Sequence, residues 1–398
     1  MSGRTVVVLG GGIVGLACAY EALERGWRAI VIDAGPIGGQ ASSAAAGMLA
    51  PYSENGEAPD AFFRFCRRSF ALYPAWVRDI EETSRRRVGF VRSGSLQVAR
   101  READRLPLQG RLRWQTDQGA RLEWVEAEAL PRLEPALAPG QAGALYCPEE
   151  AHVQARLLVQ ALAEAVRRRG GRLVPSAGRL LTLERSGESG GGVRVEYANA
   201  GTFVGDRLCC CLGSWSEELE SRIGLRLPVH PIRGQICAYA PRPVELRHIV
   251  FSPLAYWVPK PDGSLVCGAS EDEAGFDRSV TPAGIGRLAR AGGRMLPGLQ
   301  GAAPSRSWAG LRPATLDGRP LIGAVPGRDG LYLACGHYRN GILLSPATAA
   351  AFGRWLDDEE GSGGEGSVSG GGPHADMAAF RPDRFGAGAH ARGEGAAL

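Results

Sequence analysis

Glycines at positions 10, 12 and 15, with Asp33 eighteen residues beyond the last, form the first pattern in the chain able to do chemistry. Gly10-x-Gly12-x-x-Gly15 has the spacing of a dinucleotide-binding turn. The first glycine permits a tight turn and the second lets backbone approach a pyrophosphate. The third lets helix and strand pack closely. Ile13 and Val14 open the helix that follows, and free N–H groups at such a helix start, with its dipole, favour an anion. Asp33 is placed to accept hydrogen bonds from an adenosine ribose. Gly361, Gly363 and Gly366 repeat the spacing by chance, without a strand before it or a helix after it. The turn alone does not separate NAD from FAD.

Further residues favour FAD. Only the turn at Gly10 has the strand–helix context, whereas a chain reducing its own flavin with NAD(P)H would need two such sites. Residues 38–47 are mostly tiny and run into Met48. Such a tract, with Ser42, Ser43, Ala45, Ala46 and Gly47, lets backbone and hydroxyls wrap a long ligand. Far away, Gly336-His337-Tyr338-Arg339-Asn340-Gly341-Ile342 is a second glycine-rich turn that opens a helix through Leu343. Its positive end can stabilise the negative charge that a flavin ring gains on reduction.

Thr5–Leu9, Ile13–Arg25 and Arg28–Ile32 have the patterns of a buried strand, a helix and a second buried strand, and together predict a β-α-β unit. The apolar spacing from Asp60 to about Arg87 predicts one or two surface helices, and Val88–Val98 alternates as strands do, with Gly89 and Gly94 as punctuation. Leu157–Arg169 reads as a helix, Gly187–Gly192 as a hairpin turn, and Leu208–Leu212 as a buried strand. Gln235–Tyr239, Tyr256–Val258 and Ser264–Cys267 predict an antiparallel region. Leu331–Ala334 then reads as a strand before a helix over about Asn340–Leu356. Gly361–Gly372 has the composition of a flexible spacer. Ala378–Phe385 regains two phenylalanines able to dock on the body, and the last dozen residues are expected to be mobile. The predicted fold class is α/β, a Rossmann-type FAD-binding domain with a second, mainly antiparallel β substrate domain. The expected division gives the first 1–87, 150–216 and 318–358, the second 88–149 and 217–317, and a flexible spacer and tail 359–398.

Composition narrows the function. The net charge is only +4 and basic runs are interleaved with acids, which argues against a nucleic-acid partner. Val6–Tyr20 is too short to span a bilayer, so no membrane association is expected. Nine cysteines, an odd count with no C-x-x-C pair, argue against a disulfide framework and against a zinc site. No metal and a cytoplasmic location follow as expectations.

The stretch Gly10–Pro51, ending Ala-Ala-Ala-Gly-Met-Leu-Ala-Pro, resembles the glycine oxidases of thiamine biosynthesis, within the D-amino-acid oxidase and sarcosine oxidase group of flavoproteins. The likeness resumes at Ala151-His152-Val153, Pro231–Gln235 and Tyr256-Trp257-Val258-Pro259. It is strongest at Trp308-Ala309-Gly310-Leu311-Arg312-Pro313 and Gly336–Pro346. The resemblance implies a flavoprotein that oxidises glycine, sarcosine or a small D-amino acid to the imine, with oxygen as acceptor and hydrogen peroxide as product. It implies that Arg312 binds the substrate carboxylate, assisted by Tyr256 and Arg339. It adds Ala34, Val174, Gly213 and Trp215 to the FAD contacts, and a homo-oligomer is common among such proteins. Gly310 stands about where monomeric sarcosine oxidases attach their flavin through Cys, so the FAD is expected to be non-covalent. The chain departs from the pattern at Ala314, Cys335 and Ser214-Trp215-Ser216, which leaves the choice of amine open. Glu271 is a candidate for the pocket wall. A quinone-linked D-amino-acid dehydrogenase of the same fold, an NAD-dependent dehydrogenase, and a flavin-binding partner protein without turnover are the alternative readings.

Overall fold

The computed structural model describes residues 3–55, 58–186, 192–361 and 375–386. Its first layer grows from β1 (Thr5–Leu9), α1 (Ile13–Glu24) and β2 (Arg28–Ile32). Val6 to Leu9 have no exposed surface, as expected of a strand covered on both faces. β1 lies parallel to both β2 and the strand Arg207–Cys210. The six-stranded sheet runs Leu321–Ala324, Leu331–Cys335, Arg207–Cys210, β1, β2, Arg172–Val174. Only its edge strand Leu321–Ala324 is antiparallel to its neighbour.

One face of this sheet packs on α1 and the helices Ala61–Ser84, Ala155–Arg168 and Gly341–Gly361. The other face is covered by an antiparallel sheet of Leu180–Ser186, Gly192–Tyr197 and Gly201–Gly205, with Val7, Leu9, Val195 and Phe203 in one core. Strands Leu180–Ser186 and Gly192–Tyr197 pair as a hairpin; the expected turn between them lies outside the described residues.

The second layer is an eight-stranded sheet built from strands between 95 and 147 and between 229 and 315. Its longest pairing joins Val229–Tyr239 to Arg306–Thr315 antiparallel, with Ile232 opposite Arg312. The helix Pro282–Met295 backs it, placing Leu288, Ala291 and Met295 on Trp257 and Leu265. One pairing, Ile249–Phe251 with Ser95–Ala99, is parallel.

Two local readings become definite. Gly89 and Gly94 do punctuate Val88–Val98: both take left-handed φ of 67°, which breaks the extended run. Beyond that break Ser95–Ala99 is a strand, and all five of its residues are buried. Of the one or two helices expected over Asp60–Arg87 there is a single one, Ala61–Ser84. Asp60 caps it by accepting from the Phe63 N–H at 2.8 Å, and its face of Phe63, Phe65, Tyr73, Val77 and Ile80 is buried.

The expected spacer Gly361–Gly372 lies almost wholly outside the described residues, as do the last twelve residues. Beyond it, Ala375–Phe380 forms a 3-10 turn. Phe380 is fully buried, its ring 5.1 Å from Phe65, and Arg384 grips Asp317 through two bonds of 2.8 and 2.9 Å. No described helix is long and apolar enough to cross a membrane. Phe380→Ala removes a buried ring and should cost about 3–5 kcal/mol. A lower urea midpoint at unchanged slope would show this, and an unshifted midpoint would mean that the tail does not pack in solution.

Candidate active site

The site begins where β1 stops. At Gly10, with φ of 97°, a Cβ would strike the Cys211 carbonyl, and at Gly15 it would strike the carbonyl of Gly10. These two close approaches press α1 and the strand ending near Cys211 onto the turn. At Gly12 a Cβ would come within 3.2 Å of the Ser42 hydroxyl, which accepts from the Ile13 N–H at 2.9 Å. α1 has no acidic residue in its first turn, so its positive end is uncompensated. Asp33, at the end of β2, accepts from the N–H groups of Gly11 and Gly35 at 2.7 and 2.8 Å. Burial pushes its carboxyl up and those two bonds pull it down.

In front of this turn lies a cavity of about 580 Å³, within the roughly 300–1,000 Å³ of small-molecule sites. The glycine turn, Asp33 and Ala34 form one end. Ser42, Ala45, Ala46, Gly47 and Met48 form a side, with Gly213 and Trp215 across from them. His337, Arg339, Gly341 and Ile342 bring in the start of the helix Gly341–Gly361, which also lacks an acid in its first turn. Tyr256 and Arg312 enter from the eight-stranded sheet.

Five expected contacts do not line the cavity. Gly15 sits behind the turn, against Gly10. Val174 accepts from the Asp33 N–H at 3.0 Å, so it supports the acid from the sheet edge. Ser43 lies within the short helix Ala41–Ala44. Asn340 donates its N–H to the His337 carbonyl at 2.9 Å. Leu343 is buried, its carbonyl accepting from Ser69 at 2.7 Å.

The residues present fit FAD. Two helix starts without acids face one elongated cavity, and the glycines leave room only for backbone at the turn. The tract 41–48 is held from outside: the Trp308 indole donates to the Ala44 carbonyl at 2.9 Å. Lys260 donates to the carbonyls of Ala46 and Val153 at 2.6 and 2.9 Å. His337 bonds Thr348 at 3.1 Å, and burial depresses it to about 3, so it stays neutral.

The charged end of the cavity is built across three segments. The Arg312 guanidinium lies flat over Gly234, where a Cβ would come within 2.5 Å of its Cζ. Its Nη1 donates to the Ser270 carbonyl at 2.9 Å, and among the described residues no carboxylate pairs with it. Burial pushes the Tyr256 hydroxyl up to about 12, so it remains a donor. Arg339 is occupied differently, with Glu54 at 3.6 Å and Glu271 at 3.3 Å. Tyr338 also donates to Glu271, at 3.0 Å.

Glu271 is thus tied to Arg339 and Tyr338 and does not line the cavity. Glu54 does line it and was not foreseen from the sequence. It follows the tract 41–48 after five intervening residues, Leu49 to Ser53, and an acid so close to an apolar run was the only available signal. Burial pushes its carboxyl up, while Arg339 and Arg312 pull it down. Glu150 fixes the segment before it, accepting from the N–H groups of Tyr52 and Ser53 at 2.8 Å each.

Lys260 gives the site a pH signature. Burial lowers its ammonium from 10.5 to about 7. Between those values the unfolded chain binds the proton that the folded chain has released, so this group makes stability rise with pH from about 7 to about 10. The melting temperature of the wild-type protein should therefore climb relative to Lys260→Met over that window, and parallel profiles would refute the titration.

The model of the DAO family, described as FAD dependent oxidoreductase, matches residues 5–355. Glycine oxidase of Geobacillus kaustophilus strain HTA426 is 34% identical over 345 residues, covering 86% of this chain and 90% of that protein. The bifunctional protein ThiO/ThiG of Synechocystis is 32% identical over 361 residues, covering 89% of this chain and 52% of that longer protein. The crystal structure of the glycine oxidase from Geobacillus kaustophilus matches the fold with a TM-score of 0.86 at 31% identity, over 96% of this chain and 99% of that one. A turn shaped for a dinucleotide, a cavity that fits FAD and a family match over residues 5–355 agree: the chain belongs to the DAO family of FAD-dependent oxidoreductases.

Proposed function

We propose that the chain oxidises glycine, or a small amine such as sarcosine or D-alanine, at its α-carbon. For glycine, oxygen and water the products are glyoxylate, ammonia and hydrogen peroxide. The observation that carries this reading is Arg312, a cation on the wall of the cofactor cavity without a carboxylate partner among the described residues. A guanidinium binds a carboxylate through two parallel bonds, and Arg312 has that capacity free.

When bound, FAD supplies the two-electron acceptor for the substrate C–H and is returned to its oxidised form by oxygen. The chain's own residues bind and orient. Arg312 fixes the carboxylate, and Tyr256, held protonated by burial, donates a second contact to it. Arg339 lines the same cavity and assists, while also pairing with Glu54 and Glu271. Glu54 offers an acceptor to the amine. Such orientation of a single C–H is worth several kcal/mol of barrier.

The names of the relatives support glycine as the amine. The ThiO/ThiG relative supports a supply of oxidised glycine for thiazole formation in thiamine synthesis. Gly310, where a Cβ would meet Ala44 within 2.6 Å, supports a non-covalent cofactor. Nine free, buried thiols support a reducing, cytoplasmic setting. A rival electron acceptor would leave the substrate-reduced protein reduced in air.

Purified protein with FAD should release peroxide from at least one of glycine, sarcosine and D-alanine; silence with all three sinks the oxidase reading. Arg312→Leu should lower kcat/KM by roughly 10²-fold or more, since truncating one partner of a buried charge pair costs about 2–5 kcal/mol. The flavin spectrum should persist. Gly234→Ala should displace the guanidinium and raise KM with FAD still bound, and an unchanged KM would deny Arg312 its role.

A further inference from the structure

Three of the nine thiols meet in one place. Cys18 lies on α1, Cys209 on the strand Arg207–Cys210, and Cys211 directly after that strand. Their sulphurs all lie within 4.8 Å of one another, with Cys209 and Cys211 at 3.5 Å. All three are free. Cys18 and Cys209 have no exposed surface and Cys211 has 7%. Two-residue alternation places Cys209 and Cys211 in the core with α1, whereas Cys210 belongs to the core on the opposite face.

The geometry points to a three-coordinate site for a trivalent thiophile of the arsenite class. An arsenic about 2.3 Å from three sulphurs, raised out of their plane by its lone pair, needs sulphurs about 3.5 Å apart; Cys209 and Cys211 stand at 3.5 Å, with the third sulphur within 4.8 Å of both. Among the described residues no His, Asp or Glu joins the group, so the fourth ligand of a tetrahedral zinc centre is missing. Charge then selects the ion. Around three thiolates a monovalent ion leaves two negative charges, a divalent ion one, and a trivalent ion none. The thiols belong to a buried core with Val8 and Ala17, and Glu21 lies close enough to Cys18 to oppose further negative charge there, so an uncompensated charge is costly.

The reaction balances without electron transfer. As(OH)₃ and three thiols give As(S-Cys)₃ and three waters; each thiol proton leaves with a hydroxide, and arsenic stays trivalent. Cys211 lines the cofactor cavity, so the route to the cluster opens where FAD would lie.

The full-length protein, as holoenzyme and after removal of FAD, would be incubated with sodium arsenite and desalted. Native mass spectrometry and arsenic X-ray absorption then read the product. The expected result is one arsenic per FAD-free chain with three sulphurs in a single shell, formed at least tenfold more slowly in the holoenzyme. Retention should fall at least tenfold in Cys18→Ala and stay at wild-type level in Cys66→Ala, which removes a buried cysteine elsewhere. Fewer than three sulphurs, an oxygen neighbour, equal rates with and without FAD, or equal retention in Cys18→Ala would overturn the assignment. The absorption measurement on the unsubstituted protein stands whether or not Cys18→Ala folds.

Discussion

Backbone touches backbone at the head of β1, and the cofactor side of the molecule is arranged around that contact. Gly10 lies against the Cys211 carbonyl and Gly15 against the Gly10 carbonyl. One methyl group at Gly15 would force α1 away from the turn, and one at Gly10 would push back the segment at Cys211. With the helix seated, its first N–H groups open onto the cavity and Asp33 can brace Gly11. The same seating sets how close the strand Arg207–Cys210 comes to α1, and hence brings three thiols together. Steric absence at two residues therefore fixes the positions of an anion cradle, an acid and a sulphur cluster.

At the other end of the cavity the organising quantity is charge. Two arginines stand near one another, but only one is saturated. Arg339 shares itself between Glu54 and Glu271, while Arg312 keeps only a backbone carbonyl. A half-buried cation without a carboxylate partner among the described residues favours an anionic visitor. The imbalance makes the site selective for carboxylates without a dedicated cage. Glu54, close to both cations, keeps the local field from attracting any anion indiscriminately.

Much of the cofactor side was legible in the sequence because its signals are local. β1, α1 and β2 announce themselves by period and by glycine spacing, and Asp33 follows at a fixed distance. Arg312 and Tyr256 came from motif resemblance, since nothing in their immediate neighbours says what lies opposite. Glu54 was missed because its meaning depends on Arg339, far along the chain. Glu271 was noticed and misplaced for the same reason: its partners, not its sequence position, decide where it points. In Val88–Val98 the break is legible too, because Gly89 and Gly94 mark it and both take left-handed φ. The thiol cluster could not be read at all, because Cys18 reaches Cys209 and Cys211 only once α1 lies on the sheet.

The tract 41–48 joins these two halves through its carbonyl oxygens, held by Trp308 and Lys260 from the neighbouring sheet. Small side chains make it look permissive, yet its shape is dictated by residues more than two hundred positions away. Drift at 260 or 308 would reach the flavin pocket without altering any residue of the glycine motif. A descendant of this chain could keep an intact nucleotide signature and still lose its coenzyme. In this chain the residues that keep the cofactor in place lie partly in the sheet that carries Arg312.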